Sequence, residues 1–479
     1  MNEVHTRLAA LGVRIPEILL PRNGTDLSKW AVIACDQFTQ DINYWEQVKN
    51  TAAGAPSSVN LIFPEVYLEA ASHKGGGPEA RAKMVAGIRD SMDAYLKEEV
   101  FAPPQHCCVY LERRTPHNPQ RRGLVLAADL EQYNWAPESR PLIRSTEGTV
   151  TERLPSRIEI RRGAPLELPH VLLLIDDEED ALIPSLGKIA RKRPPLYETP
   201  LMMNSGSVSG WAVDTEEAWA LLADGLEALA SKAGGRYGSA LPGEAPFLFA
   251  VGDGNPSLAT AKAVWEEYKK AHAGEAGLSN HPARWALVEV ENIYDSGISF
   301  EPIHRVVFGV EPDELMETLS ALDAIRCQPD TPARVIRIEC LSPEMATASL
   351  QPLLDSFIKE RGLAIDYIHG EAEVLRIASD SALQAASRQA VGLLLPPVRK
   401  DGFFKTVAQN GPLPRKSFSM GEAEEKRFSS ASPMEKLLRG KGPFCATVLK
   451  KPSFLIGGKS SPTACLVASD ASRKTSLSP

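Results

Sequence analysis

Short apolar runs alternate along this chain with stretches whose apolar positions recur at helical spacing. Val171–Ile175 is continuously apolar and ends at an acidic cluster, and 247–251 (Phe-Leu-Phe-Ala-Val) ends at a glycine, as strands buried on both faces do. Residues 107–112 and 123–128 read as further strands, and 31–34 as a short one running into Cys35, Asp36 and Gln37. Tyr44, Trp45 and Val48 predict a helix, 78–95 carries Ala82, Met84, Ile88, Met92 and Tyr95 on roughly one face, and 215–232 reads as a helix. From 311 the pattern is regular: helix 311–325, strand 334–340, helix 342–361, strand 364–368, helix 371–379, strand 390–395. The alternation predicts a mixed α/β (α+β) protein, with an N-terminal lobe over 1–310, a smaller α/β lobe over 311–428, and a tail, 429–479, that sustains no amphipathic period and is expected to be disordered. The acidic run at 176–180 reads as a solvated loop.

Composition narrows the functional classes. At 479 residues, 43% hydrophobic and 24% charged, the chain is globular with a large core. A net charge of -8 lacks the basic footprint of nucleic-acid binding, and no apolar stretch approaches a membrane span, so neither nucleic acid nor membrane is an expected partner. The charge is uneven: 429–479 holds eight Lys or Arg and two Asp or Glu, net +6, which leaves -14 on the rest. The N-terminus has no signal-peptide pattern, and seven cysteines without a CxxC pair fit neither a disulfide framework nor a zinc site, so a cytoplasmic setting is expected. Cys35, at the end of a short strand, is weighed as a nucleophile against a small buried hydrophobe; Asp176 and Asp177 are weighed as Mg2+ ligands against solvated charges.

The sharpest local chemistry is Gly252-Asp253-Gly254-Asn255-Pro256-Ser257, between the apolar run and a helical face of Leu258, Ala261, Trp265 and Tyr268. Two glycines let backbone turn tightly and approach a ligand, and free N–H groups at a helix start attract phosphate. Asn255 suits the N-cap and Pro256 the first helical position. Spacing alone fits an ordinary turn equally well: the P-loop lysine is missing, and Ser257 stands where a dinucleotide fingerprint needs a third Gly or Ala. Arg144, Glu147, Glu152, Arg153 and Arg157 form a charged cluster whose guanidinium forks suit phosphate or carboxylate, or else cross-strand ion pairs. His304 is a base or a hydrogen-bonded strand residue, Arg305 follows it, and Arg415 and Lys416 lie in a basic loop.

Six blocks in order, WAVIACDQFTQDINYWEQV, RSTEGTVTERLPSRIEIRRGAPLELPHVLLLIDD, FLFAVGDGNPSLATAK, NHPARWALVEVENIYD, EPIHRVVF and GPLPRKSFSMGEAEEKRF, resemble the bacterial family named domain of unknown function 1015 over about residues 15 to 428. The resemblance implies a distant similarity to ParB-like and sulfiredoxin-like folds that include free-serine kinases, and a role in serine metabolism. Pro256 stands where the family's loop carries His, and the tail after Phe428 departs from the family's short helical end. On that footing the expected function is small-molecule phosphoryl transfer to L-serine from ATP, ADP or pyrophosphate, with Mg2+ admitted and no metal-ligand set assigned. Asp253, Glu147 and His304 are the catalytic candidates; Gly252, Gly254, Asn255, Ser257, Arg144, Arg305, Arg415 and Lys416 would bind phosphate or substrate. A phosphoserine phosphatase using the same cradle and a non-catalytic phosphate- or ligand-binding protein are the alternatives, and oligomeric state is left open.

Overall fold

In the computed structural model the described residues are 3–33, 35, 42–67, 77–115, 118–149, 154–237, 244–330, 333–341, 346–379, 389–397, 399–414, 416–420, 443–444 and 448–450. They form a mixed α/β fold built on two principal sheets. In spatial order the larger sheet runs Tyr197–Pro200, Ser207–Val213, Cys108–Arg114, Arg121–Asp129, Trp285–Asn292, Val171–Ile175, Phe249–Asp253, Ile143–Arg144 and Tyr133–Asn134, with Val13–Arg14 beside Arg121–Asp129. The second runs Ile325–Asp330, Val335–Cys340, Ala390–Leu394, Phe300–Phe308 and Ala364–His369, and Phe418–Met420 extends along Phe300–Phe308. A division into lobes stays a proposal, and sheet membership would draw it ahead of Phe300 rather than after 310.

Val171–Ile175 is apolar throughout because both its faces are covered. Val171, Leu173 and Ile175 meet Leu182, Leu222 and Leu258 from the helices Leu182–Ala190, Glu216–Tyr237 and Asn255–Ala271. Leu172 and Leu174 face the other way, into a cluster with Phe300, Phe403, Phe404, Phe418 and Met420 that welds the two sheets together. Its neighbours fix the local geometry: Phe249–Asp253 runs antiparallel to it and Trp285–Asn292 parallel.

Two expectations change. The helix expected over 311–325 ends at Leu319, and Ile325–Asp330 is an edge strand with mostly exposed side chains, a place where Pro329 can sit without removing a ladder donor from the interior. The run at 176–180 is not simply a solvated loop, since Asp176 and Asp177 are buried. Asp177 Oδ2 accepts from the Ala181 and Leu182 N–H groups at 2.8 and 2.9 Å, because the helix that opens there has donors that nothing in the helix can satisfy. The Asp176 carboxylate accepts from Tyr237 and pairs with Arg236 at 3.0 Å, and burial pushes its pKa up. Of 429–479 only Pro443–Phe444 and Val448–Lys450 are described; the former pairs with Val32–Ile33, and the latter lies between Glu17–Leu19 and Leu166–Glu167. The rest of that tail lies outside the described residues.

Candidate functional site

The glycine turn is built as strand, turn and helix, but its cap differs from the expected one. Gly254, at φ +84°, is the residue that precedes the helix, and Asn255 is already helical. The left-handed backbone at Gly254 moves the helix start one residue earlier, which frees the Asn255 side chain for a tertiary role. Its Oδ1 accepts from Ser145 Oγ at 2.7 Å and from the Thr146 N–H at 3.1 Å, and its Nδ2 donates to Thr146 Oγ1 at 3.2 Å. Thr146 Oγ1 donates in turn to the Val251 carbonyl at 2.5 Å. The segment holding Arg144 and Glu147 is thereby stapled to the turn. Pro256 occupies the first turn of the helix and removes one N–H from the donors found there. A Cβ on Gly252 would lie 2.8 Å from Leu174 Cγ and 2.9 Å from Met420 Sδ, so this glycine is required by close packing. Asp253 is half-buried at the strand end, in register with Leu172.

On one side of the turn lies the seam between the sheets. The Leu413 N–H donates to the Thr146 carbonyl at 2.8 Å, Glu147 bridges to Leu413, and Lys416 follows, exposed and at φ +61°. Arg305, on the inner strand Phe300–Phe308, is 0% exposed. Its Nε donates to Gln351 Oε1 at 3.0 Å, its Nη1 to the Ile303 carbonyl, and its guanidinium lies over the Tyr367 ring, while Nη2 has no hydrogen-bond partner among the described residues. Burial pushes its pKa down to about 10 against the pull of Tyr367, Asp355 and Glu147. Arg144 is similarly buried: Nε and Nη2 donate to the carbonyls of Pro141 and Ala245, Phe247 lies under the guanidinium, and burial together with Arg140 lowers its pKa to about 10.

His304 does not join this group. Strand alternation turns it to the opposite face from Arg305, where Nδ1 accepts from the Leu395 N–H at 3.0 Å. Burial lowers its pKa to about 4, so the ring is neutral and one nitrogen is committed to backbone. Arg415, Glu152 and Arg153 lie outside the described residues. Arg157 and Arg161 belong to a helix, Leu154–Arg161, and pair with Glu65 and Glu167 at 2.5 and 2.6 Å.

On the other side of the turn, Ser257 and Thr260 help line a cleft of about 860 Å3 that includes open solvent. Its walls are mainly apolar, with Leu61, Phe63, Ile88, Met92 and Ile160 among them, and Cys35 and His170 also border it.

Charge buried in the large sheet is the feature that reading the chain missed. Alternation along Trp285–Asn292 sends Ala286, Val288 and Val290 toward the helices and Leu287, Glu289 and Glu291 to the opposite face. Both glutamates are buried. Arg121 Nε lies 2.7 Å from Glu291 and its Nη2 3.8 Å from Glu289, and buried Arg113 stands in register with Arg121. Burial and the neighbouring carboxylate hold Glu291 well above the usual carboxylate range despite Arg121. The signal was there: acidic residues two apart in an otherwise apolar strand. The same spacing describes a solvent-facing strand, and only the cover on both faces tells the two apart.

Among the described residues no group of three or more His, Cys, Asp or Glu side chains is placed to hold a metal ion. Asp176 and Asp177 are occupied by protein donors, as described above. No helix among the described residues is long and apolar enough to cross a membrane.

None of the curated proteins matches the chain. Among solved structures, a conserved hypothetical protein from Pyrococcus furiosus is 10% identical, with 62% of this chain and 90% of that one covered and a TM-score of 0.29. A free serine kinase in complex with AMP is 10% identical over 62% of this chain and 88% of its own, with a TM-score of 0.29, and a mutant free serine kinase in complex with ADP gives the same identity and coverage at 0.31. Likeness this slight says nothing of activity. The family model described as "Protein of unknown function (DUF1015)" matches residues 19–389, most of the chain, and the protein belongs to that family.

Proposed function

We propose that the protein transfers a phosphoryl group from ATP, ADP or pyrophosphate to the hydroxyl of a small acceptor, L-serine foremost, at the glycine turn. One observation carries this reading: two buried guanidinium groups, Arg144 on the strand beside Phe249–Asp253 and Arg305 within electrostatic reach of Glu147, direct their hydrogen bonds to neutral oxygens, not to carboxylates. Burying a cation without a direct ion pair is costly, and an incoming anion offsets that cost. Phosphoryl transfer asks chiefly for positioning and charge neutralisation. The acceptor oxygen would form its bond to phosphorus as the donor's bridging P–O bond breaks. The hydroxyl proton would pass to Asp253 or Glu147, and the electron pair of the broken bond would leave with the shortened donor. Mg2+ is commonly held by one or two carboxylates and the phosphates themselves, so it would arrive with the donor.

Incubating the full chain with L-serine, Mg2+ and each donor in turn, followed by phosphorus NMR, should yield O-phosphoserine with one of them. If no donor gives product and none raises the melting temperature, the reading fails. A second reading, binding without turnover, is favoured by Pro256, which has no imidazole to offer a phosphate oxygen. Under the kinase reading, Pro256→His should raise turnover by roughly two to four orders of magnitude with little change in melting temperature.

A further inference from the structure

A shallow recess of about 220 Å3, most of it open solvent, lies on the seam, bordered by Asn134, Ser139, Arg140, Arg144, Ser145 and the Gly411-Pro412 turn. Two arginines share it. Arg140 Nη1 donates to the carbonyls of Pro137 and Ser139, each at 3.0 Å, and Arg144 is held by the carbonyls of Pro141 and Ala245. Every one of these acceptors is neutral, so two like charges face one pocket without an ion pair among the described residues. Their mutual repulsion adds to burial in lowering the Arg144 pKa, against the weaker pull of Glu244. Asn134 and Ser139 add polar groups to the rim, and Ser145 connects it to the glycine turn through Asn255.

We propose that this recess is an oxyanion subsite in which Arg140 and Arg144 together bind a carboxylate or phosphate group. A fork of N–H donors from each side chain matches the oxygens of such a group, and one bound anion separates the two cations that otherwise repel. The enclosed part of the recess holds little more than a water, and the remainder is open to solvent, so a single carboxylate or phosphate group would seat its oxygens at the mouth and a nucleoside would not enter. The recess therefore suits the carboxylate of an amino-acid acceptor or inorganic phosphate, and the acceptor assignment rests on the phosphoryl-transfer reading above.

Calorimetric titration of the full chain with inorganic phosphate, L-serine and ethanolamine separates the sources, because ethanolamine keeps the amine and hydroxyl of serine and lacks the carboxylate. Phosphate or L-serine should bind, weaken as salt is raised, and lose about tenfold or more in affinity in Arg140→Gln. Ala136→Glu, which sets a tethered carboxylate at the border of the recess, should abolish binding and raise the melting temperature; this second variant covers the case that Arg140→Gln perturbs the turn. Binding of L-serine but not ethanolamine identifies a carboxylate site, and binding of phosphate alone identifies a phosphate site. No binding by phosphate or L-serine, equal binding by ethanolamine and L-serine with none by phosphate, or unchanged affinity in both variants overturns the subsite. Failure to form O-phosphoserine with anion binding intact would remove the proposed reaction and leave the subsite standing.

Discussion

Single residues at the turn and in the second sheet carry costs that a measurement can read. Gly254 has φ +84°, and a Cβ there would lie 3.2 Å from Val171 Cα, so Gly254→Ala should lower stability by about 1–3 kcal/mol in urea unfolding. An unchanged midpoint would mean that the turn relaxes. At His304 the sign follows from a pKa held near 4 by burial. The unfolded chain takes up this proton below about pH 6.5 and the folded one only near 4, so stability falls as pH drops through that window, by about 3 kcal/mol in all. His304→Gln keeps an acceptor for the Leu395 N–H and should flatten that part of the melting-temperature profile. A profile as steep as the parent's would assign the pH dependence to other groups.

At the scale of elements, caps and covers decide what a sequence pattern becomes. Asp177 accepts two N–H groups at the opening of the helix Leu182–Ala190, and Asp177→Ala should cost about 1–2 kcal/mol in thermal unfolding. A loss within error would show that water replaces the cap. Val171–Ile175 was legible to the residue, because a run of five apolar side chains closed by aspartates has few other uses. The glycine turn was legible too, since local backbone demands write themselves into local sequence. The partners of Asn255 were not, because Ser145 and Thr146 stand 110 and 109 residues away and nothing local marks them. For the same reason an N-cap was the natural reading of Asn255. The edge strand Ile325–Asp330 was hidden in the opposite sense: its exposed side chains continue the polar end of the preceding helix.

Across the whole molecule, Phe300, Phe403, Phe404, Phe418 and Met420 join Leu172 and Leu174 in a common apolar seam. The two sheets should therefore unfold together. All seven tryptophans precede residue 286, so their fluorescence reports the larger sheet, whereas circular dichroism reports both. The two urea curves should coincide in the parent, and Phe403→Ala, fully buried in the seam, should shift both by about 3–5 kcal/mol. Separate transitions in the parent would show two independent units. The contact between the Thr146 carbonyl and the Leu413 N–H has a consequence in time. A growing polypeptide that has left the ribosome as far as the glycine turn still lacks the segment against which Ser145, Thr146 and Glu147 are set. The seam side of the turn cannot close until residue 413 has emerged, so in the nascent protein this contact forms late in synthesis.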